Sequence, residues 1–169
     1  LWQLGDVGAR YWKPVIDHNN VRRPRDADEY GADVFCAVIK DFIDRCGDDR
    51  FLVYYPMVLP HFPMVPTPDS ADRESTDKAA NFRDMVAYAD TTIGGIVEHL
   101  ESRGLMDDTL VIVTSDNGTA RGYTLNTTNG PVQGGKGLTV DRGTHVPLVV
   151  AGGGVASRVC EDLVDFADI

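Results

Sequence analysis

The chain has 169 residues, 43% of them hydrophobic, and a net charge of −10 from 26 acidic against 16 basic side chains. That size fits one domain or part of a larger one, and the ordinary composition excludes long disorder, collagen and extended coiled coil. There is no run of ~18 apolar residues to span a membrane, and the acidic balance argues against a general nucleic-acid surface, which needs a basic face.

The opening Leu1-Trp2-Gln3-Leu4 carries no signal-peptide pattern, and residues 1–29 show little periodicity. Within this irregular lead-in, Tyr11 to Ile16 followed by Asn19-Asn20 and Val21 suggests a hairpin with a two-residue turn. The basic run Arg22-Arg23-Pro24-Arg25 meets Asp26, Asp28 and Glu29 at once and reads as a solvated linker. Residues 29–46 read as a helix, with Val34, Val38, Phe42 and Ile43 on one face, Phe35, Ile39 and Cys46 widening it, and Gly47 as its stop. Phe51 to Tyr55 is a short apolar run expected to be a strand buried on both faces.

Five prolines between residues 56 and 78 predict a loop of fixed path, with His61 between Pro60 and Phe62. Residues 79–103 form the strongest helix, with Phe82, Val86, Ala89, Ile93, Val97 and Leu100 on its apolar face and Gly104 ending it. Gly94-Gly95 inside it predicts close packing or a kink. Leu110 to Thr114 is a second buried strand running into Ser115-Asp116-Asn117-Gly118. The glycine-rich stretch from Gly118 to Gly143 reads as a structureless loop, longer than the usual ~12–15 residues and therefore functional or partly disordered. Val146 to Val150 is a third apolar run, and Asp165 caps the first turn of a further helix. A chain that stops one turn into a helix is expected to be a fragment. The alternation predicts an α/β fold with a mainly parallel sheet flanked by helices, incomplete in this chain. Three cysteines are too few for a disulfide framework.

In open α/β sheets ligands bind beyond the carboxyl ends of the strands. His61 follows the first expected strand, Asp116 and Asn117 the second, and Lys136 lies in the long loop after it. Two adjacent oxygen ligands suit a hard divalent cation, while an imidazole and an ammonium suit an oxyanion. Each feature has a plain alternative. Asp-Asn-Gly after a strand is often only a turn, a histidine among prolines is often a surface residue, and Gly134-Gly135-Lys136-Gly137 lacks the spacing of a phosphate loop and could be a flexible surface loop.

In combination, Pro60-His61-Phe62-Pro63, Ser115-Asp116-Asn117-Gly118, Gly134-Gly135-Lys136-Gly137 and Gly143-Thr144-His145-Val146-Pro147 resemble the formylglycine-dependent, arylsulfatase-like sulfatases of the alkaline-phosphatase-like superfamily. The resemblance covers residues 30–169 and implies part of a catalytic α/β domain that hydrolyses sulfate esters. It implies Asp116 and Asn117 as ligands of a divalent metal, usually calcium. It also implies Lys136 on the sulfate and leaving oxygens, and His61 on the sulfate ester as a donor or acid. The family nucleophile, a formylglycine made in Cys/Ser-x-Pro/Ala-x-Arg, has no counterpart in this chain. Cys46-Gly47-Asp48-Asp49-Arg50 has the spacing, but Asp48 stands where Pro or Ala is needed. The fragment alone is therefore expected to be inactive. A phosphodiesterase or phosphonate hydrolase of the same superfamily, or a non-catalytic truncated module, are the alternatives; Asn117 rather than His beside Asp116 favours the sulfatase. A periplasmic or secreted location is implied by the resemblance alone, and oligomeric state is left open.

Overall fold

A computed structural model describes residues 10–24 and 26–169. The chain's opening residues and Arg25 of the basic run lie outside the described residues. Two compact units divide the chain, Leu1–Arg103 and Gly104–Ile169.

In the first unit, β1 (Asp17–His18) and β2 (Val21–Arg22) pair antiparallel. Asn19 and Asn20 between them both take positive φ, 51° and 65°, the backbone that lets a two-residue turn follow the strand twist. The neighbouring charges are paired locally, Arg22 with Asp17 and Arg23 with Glu29 at 2.9 Å. Residues 11–13 then run against residues 29–31. Trp12 bridges Tyr30, and Gly31 N–H donates to the Tyr11 carbonyl at 2.7 Å.

Helices α1 (Gly31–Cys46) and α2 (Lys78–Ser102) pack on each other, and both end within a residue or two of the expected positions. Gly47 (φ 55°) and Gly104 (φ 68°) follow them at positive φ, a backbone that glycine adopts without a Cβ clash and that ends the helix. Asp77 caps α2 by accepting from Ala79 N–H and Ala80 N–H at 2.9 and 3.1 Å.

The buried faces differ from the expected ones. On α2, Leu100 is buried as expected, but Asn81, Met85, Tyr88 and Thr92 are buried one residue out of step with the rest of the apolar series, and Val86 is exposed. On α1, Val34, Ile39 and Ile43 are buried while Val38 and Phe42 are exposed. The shift has a hydrogen-bonding cause. Asn81 Nδ2 donates to the carbonyls of Met64 and Ser75, and Tyr88 Oη donates to Asp33 Oδ1 at 2.5 Å. Thr92 Oγ1 donates to the Tyr88 carbonyl. Polar groups that satisfy the proline loop and α1 therefore occupy the inner face. Gly95 meets α1 closely, since a Cβ there would lie 3.3 Å from Lys40 Nζ.

The run Phe51 to Tyr55 belongs to no ladder among the described residues. Phe51, Val53 and Tyr55 are half-buried, but Leu52 and Tyr54 are 88% and 87% exposed. The segment is extended and covered on one side, so the expectation of a strand buried on both faces does not hold.

In the second unit, β3 (Leu110–Thr114) pairs antiparallel with β6 (Leu148–Gly152), with Thr114 opposite Leu148 and Leu110 opposite Gly152. The chain leaves β3 at Thr114 and returns beside it at Leu148, which forces opposite strand directions; a parallel partner would need a crossover to the far end. The expected mainly parallel sheet is therefore not formed by the described residues, whose three sheets are all antiparallel pairs. Helices and strands together still make an α/β chain. The stretch 118–143 is not structureless either. It carries a hairpin of β4 (Thr124–Thr127) and β5 (Gly130–Gln133) and a single-turn α3 (Asp141–Thr144). At the carboxyl end, Asp165 Oδ1 accepts from Ala167 N–H in an isolated turn, and the expected helix is not formed among the described residues.

Candidate functional site

The polar loop after β3 is built by close backbone approach. Ser115 Oγ donates to the Asn117 carbonyl at 2.9 Å and sets the bend that carries Asp116 and Asn117. Gly118 N–H then donates to the Gly143 carbonyl at 3.0 Å, and Lys136 N–H donates to the Thr119 carbonyl at 3.0 Å. Three segments, 115–120, 134–138 and 140–145, are thus joined main chain to main chain.

Glycine permits this. A Cβ on Gly118 would lie 2.1 Å from the Arg142 carbonyl oxygen, and one on Gly143 would lie 2.3 Å from that of Leu138. Real side chains do not approach backbone so closely. Gly134 and Gly135 are buried, and Lys136, next in the chain, is half-buried. The Gly134-Gly135-Lys136-Gly137 segment is therefore an anchored strap and not a free surface loop. It ties Lys136 by its main chain to the segment that carries Asp116 and Asn117. Lys136 makes no ion pair among the described residues, and no ion pair joins it to Asp116, which is exposed. His145 is 78% exposed, and its Nδ1 lies 3.5 Å from Asp141 Oδ1.

His61 lies in the first unit, and its main chain is held by Tyr11. Tyr11 Oη donates to the His61 carbonyl at 2.6 Å and accepts from His61 N–H at 3.2 Å. The Tyr11 ring is 1% exposed, and burial pushes its phenol up to about 12. The ring of His61 is exposed. Its Nδ1 lies 2.9 Å from Arg10 Nη1 and 3.0 Å from the Phe62 carbonyl. The proline loop around it is tied down by Trp12, whose indole N–H donates to the Pro66 carbonyl at 2.8 Å, and by Arg73, which stacks 4.4 Å over that indole and donates to the Pro68 carbonyl. Arg10 and Tyr11 carried no motif in the sequence, and only the fold brings them to His61.

The donor chemistry at Asp116 and Asn117 suits a hard divalent cation, but the number does not complete one. Among the described residues no group of three or more His, Cys, Asp or Glu side chains could hold a metal, and two donors fall short of the ~6–8 oxygens that calcium takes.

Helices and strands with a strapped polar loop after β3 make this an α/β protein. The sulfatase family model matches residues 5–169. An N-acetylgalactosamine-6-O-sulfatase of Bacteroides thetaiotaomicron is 34% identical over 133 residues, which is 73% of this chain and 25% of that protein. The uncharacterized sulfatase YdeN of Escherichia coli K12 is 31% identical over 146 residues, 83% of this chain and 26% of its own length. Human arylsulfatase A is 29% identical over 127 residues, 72% of this chain and 24% of its own. The crystal structure of Ps i-CgsB shares the fold at a TM-score of 0.64 and 23% identity, covering 83% of this chain and 31% of that one. The chain belongs to the sulfatase family. It spans about a quarter of the length of the curated relatives it matches.

Proposed function

We infer that this chain supplies part of the active site of a sulfate-ester hydrolase, with residues 30–169 belonging to an alkaline-phosphatase-like catalytic domain. Lys136 is the electrostatic donor to the sulfate and leaving oxygens, and His61 donates a hydrogen bond or proton to the ester. Asp116 and Asn117 are ligands of a divalent cation, calcium by analogy with the family, whose remaining ligands come from other residues. The formylglycine that the family uses as nucleophile has no Cys/Ser-x-Pro/Ala-x-Arg counterpart in these 169 residues, so it comes from elsewhere in the polypeptide. Sulfate-ester cleavage loads negative charge onto the leaving oxygen. Cationic donors fixed in advance stabilise that transition state more than the ground state.

The observation that carries this reading is the glycine strap, which ties Lys136 by its main chain to Thr119, three residues past Asp116, with its ammonium in no ion pair among the described residues. The test is Lys136→Ala in a polypeptide that also supplies the nucleophile, with an aryl sulfate as substrate. Removing one such donor is expected to lower kcat by about 10²–10³; a change of less than about threefold would refute the role. The 169-residue chain by itself, with calcium, is expected to show no turnover.

A further inference from the structure

We propose that Arg10 is a positioning residue that fixes the tautomer of His61. The proposal rests on the reading of His61 as the group that faces the ester, and deepens it. An arginine side chain has five N–H donors and no acceptor. With Arg10 Nη1 at 2.9 Å from His61 Nδ1, Nδ1 accepts, and the neutral ring carries its proton on Nε2. That nitrogen has no hydrogen-bond partner among the described residues, so the ring offers a ligand an N–H donor.

The same nitrogen has a competing partner. The Phe62 carbonyl lies 3.0 Å from Nδ1, and a carbonyl can only accept. That contact calls for Nδ1–H and leaves Nε2 as a bare acceptor, which would repel a sulfate oxygen. The two contacts require opposite tautomers, and the Arg10 guanidinium selects the donor form.

Arg10 is held for this role by its neighbours. Tyr11, the next residue, is buried and grips the main chain of His61 at both its N–H and its carbonyl. The Tyr11 carbonyl accepts from Gly31 N–H, and the absence of a side chain on Gly31 admits the Arg10 carbonyl, which a Cβ would meet at 2.3 Å. One dipeptide thus fixes the histidine twice, its backbone through Tyr11 and its ring through Arg10.

The test uses the 169-residue chain, labelled with ¹⁵N, and long-range ¹H–¹⁵N correlation at a pH where the imidazole is neutral. The parent chain is expected to show a protonated-type Nε2 and an unprotonated-type Nδ1 for His61. Arg10→Met keeps the stem and removes the donors, and it is expected to reverse the pattern as Nδ1–H turns to the Phe62 carbonyl. Arg10→Lys restores a donor and is expected to restore the parent pattern. The Gly31 and Lys13 amide signals, whose bonds join residues 10–13 to 29–31, report whether each variant keeps its fold. A parent chain with Nδ1–H, or a fully folded Arg10→Met that retains Nε2–H, would overturn the proposal. The readout needs no turnover, so it stands or falls apart from the ester-facing role of His61, which His61→Gln tests by activity.

Discussion

Gly118→Ala should loosen the strap that holds Lys136. An ideal Cβ at Gly118 lies 2.1 Å from the Arg142 carbonyl oxygen and 3.0 Å from its carbon. The obstacle is main chain, so no rotamer change relieves it, and the two segments must separate by about 1 Å to reach van der Waals distance. The Gly118 N–H bond to the Gly143 carbonyl, 3.0 Å in the structure, would then pass beyond hydrogen-bond length. Overpacking costs about 1–3 kcal/mol and the lost bond about 0.5–1.5 kcal/mol, so a local loss of about 2–4 kcal/mol is expected. Native-state hydrogen exchange reads it directly at Lys136 N–H and Gly134 N–H, which bond to Thr119 and Tyr123. At a factor of ten per ~1.4 kcal/mol these amides should exchange about 30- to 700-fold faster. Gly122→Ala is the control, because nothing lies within 4 Å of a Cβ there. Unchanged exchange in Gly118→Ala, or equal acceleration in Gly122→Ala, would refute the close-approach reasoning.

Gly31→Ala should lower the urea midpoint of the first unit, since a Cβ would press on the Arg10 carbonyl at 2.3 Å. The expected cost of about 1–3 kcal/mol exceeds the ~1 kcal/mol that alanine adds in helix propensity, and an unshifted midpoint would count against it. Tyr11→Phe removes the hydroxyl that serves both the N–H and the carbonyl of His61, and should cost about 1–3 kcal/mol in chemical denaturation. Burial raises the Tyr11 phenol to about 12 in the folded chain. Its contribution to stability is therefore complete below the unfolded value of about 10 and lost as pH rises through about 12, and Tyr11→Phe should flatten that alkaline slope. The carboxyl of Asp77 is held below its ordinary range by the Ala80 and Ala79 amides. Its cap is present above the unfolded carboxylate value and lost as pH falls through the lower folded one. Protection of Ala79 and Ala80 N–H, taken relative to the intrinsic exchange rate at each pH, should fall on acidification in the parent chain but not in Asp77→Ser, which caps without titrating.

Local chemistry made much of this chain legible. The carboxyl ends of α1 and α2 follow from Gly47 and Gly104, whose effects are confined to one turn. The Asn19-Asn20 turn needs only residues that tolerate positive φ. The four motifs that carry the family resemblance lie within a family-model match spanning residues 5–169. Periodicity misplaced much of the inner face of α2, because Asn81 and Tyr88 are buried by hydrogen bonds to distant partners and Thr92 by one to the Tyr88 carbonyl one turn back. No scale of hydrophobicity registers such bonds. It also suggested a two-sided strand at residues 51–55, where an apolar run says nothing about whether a second layer is present.

Taken alone, the sequence determined the residue types proposed for sulfate-ester chemistry, His61, Asp116, Asn117 and Lys136, and the glycines beside two of them. What those glycines do was decided only by the tertiary structure. A glycine in a sequence is equally consistent with slack and with close approach, and the difference lies in which carbonyl stands where its side chain would be. For Gly118 that is the carbonyl of Arg142, and for Gly31 that of Arg10. The direction of β6 was likewise decided by where the loop from Thr114 returns. The pairing of Arg10 with His61, 51 residues apart in the chain, exists only because the main chain folds back past Gly31.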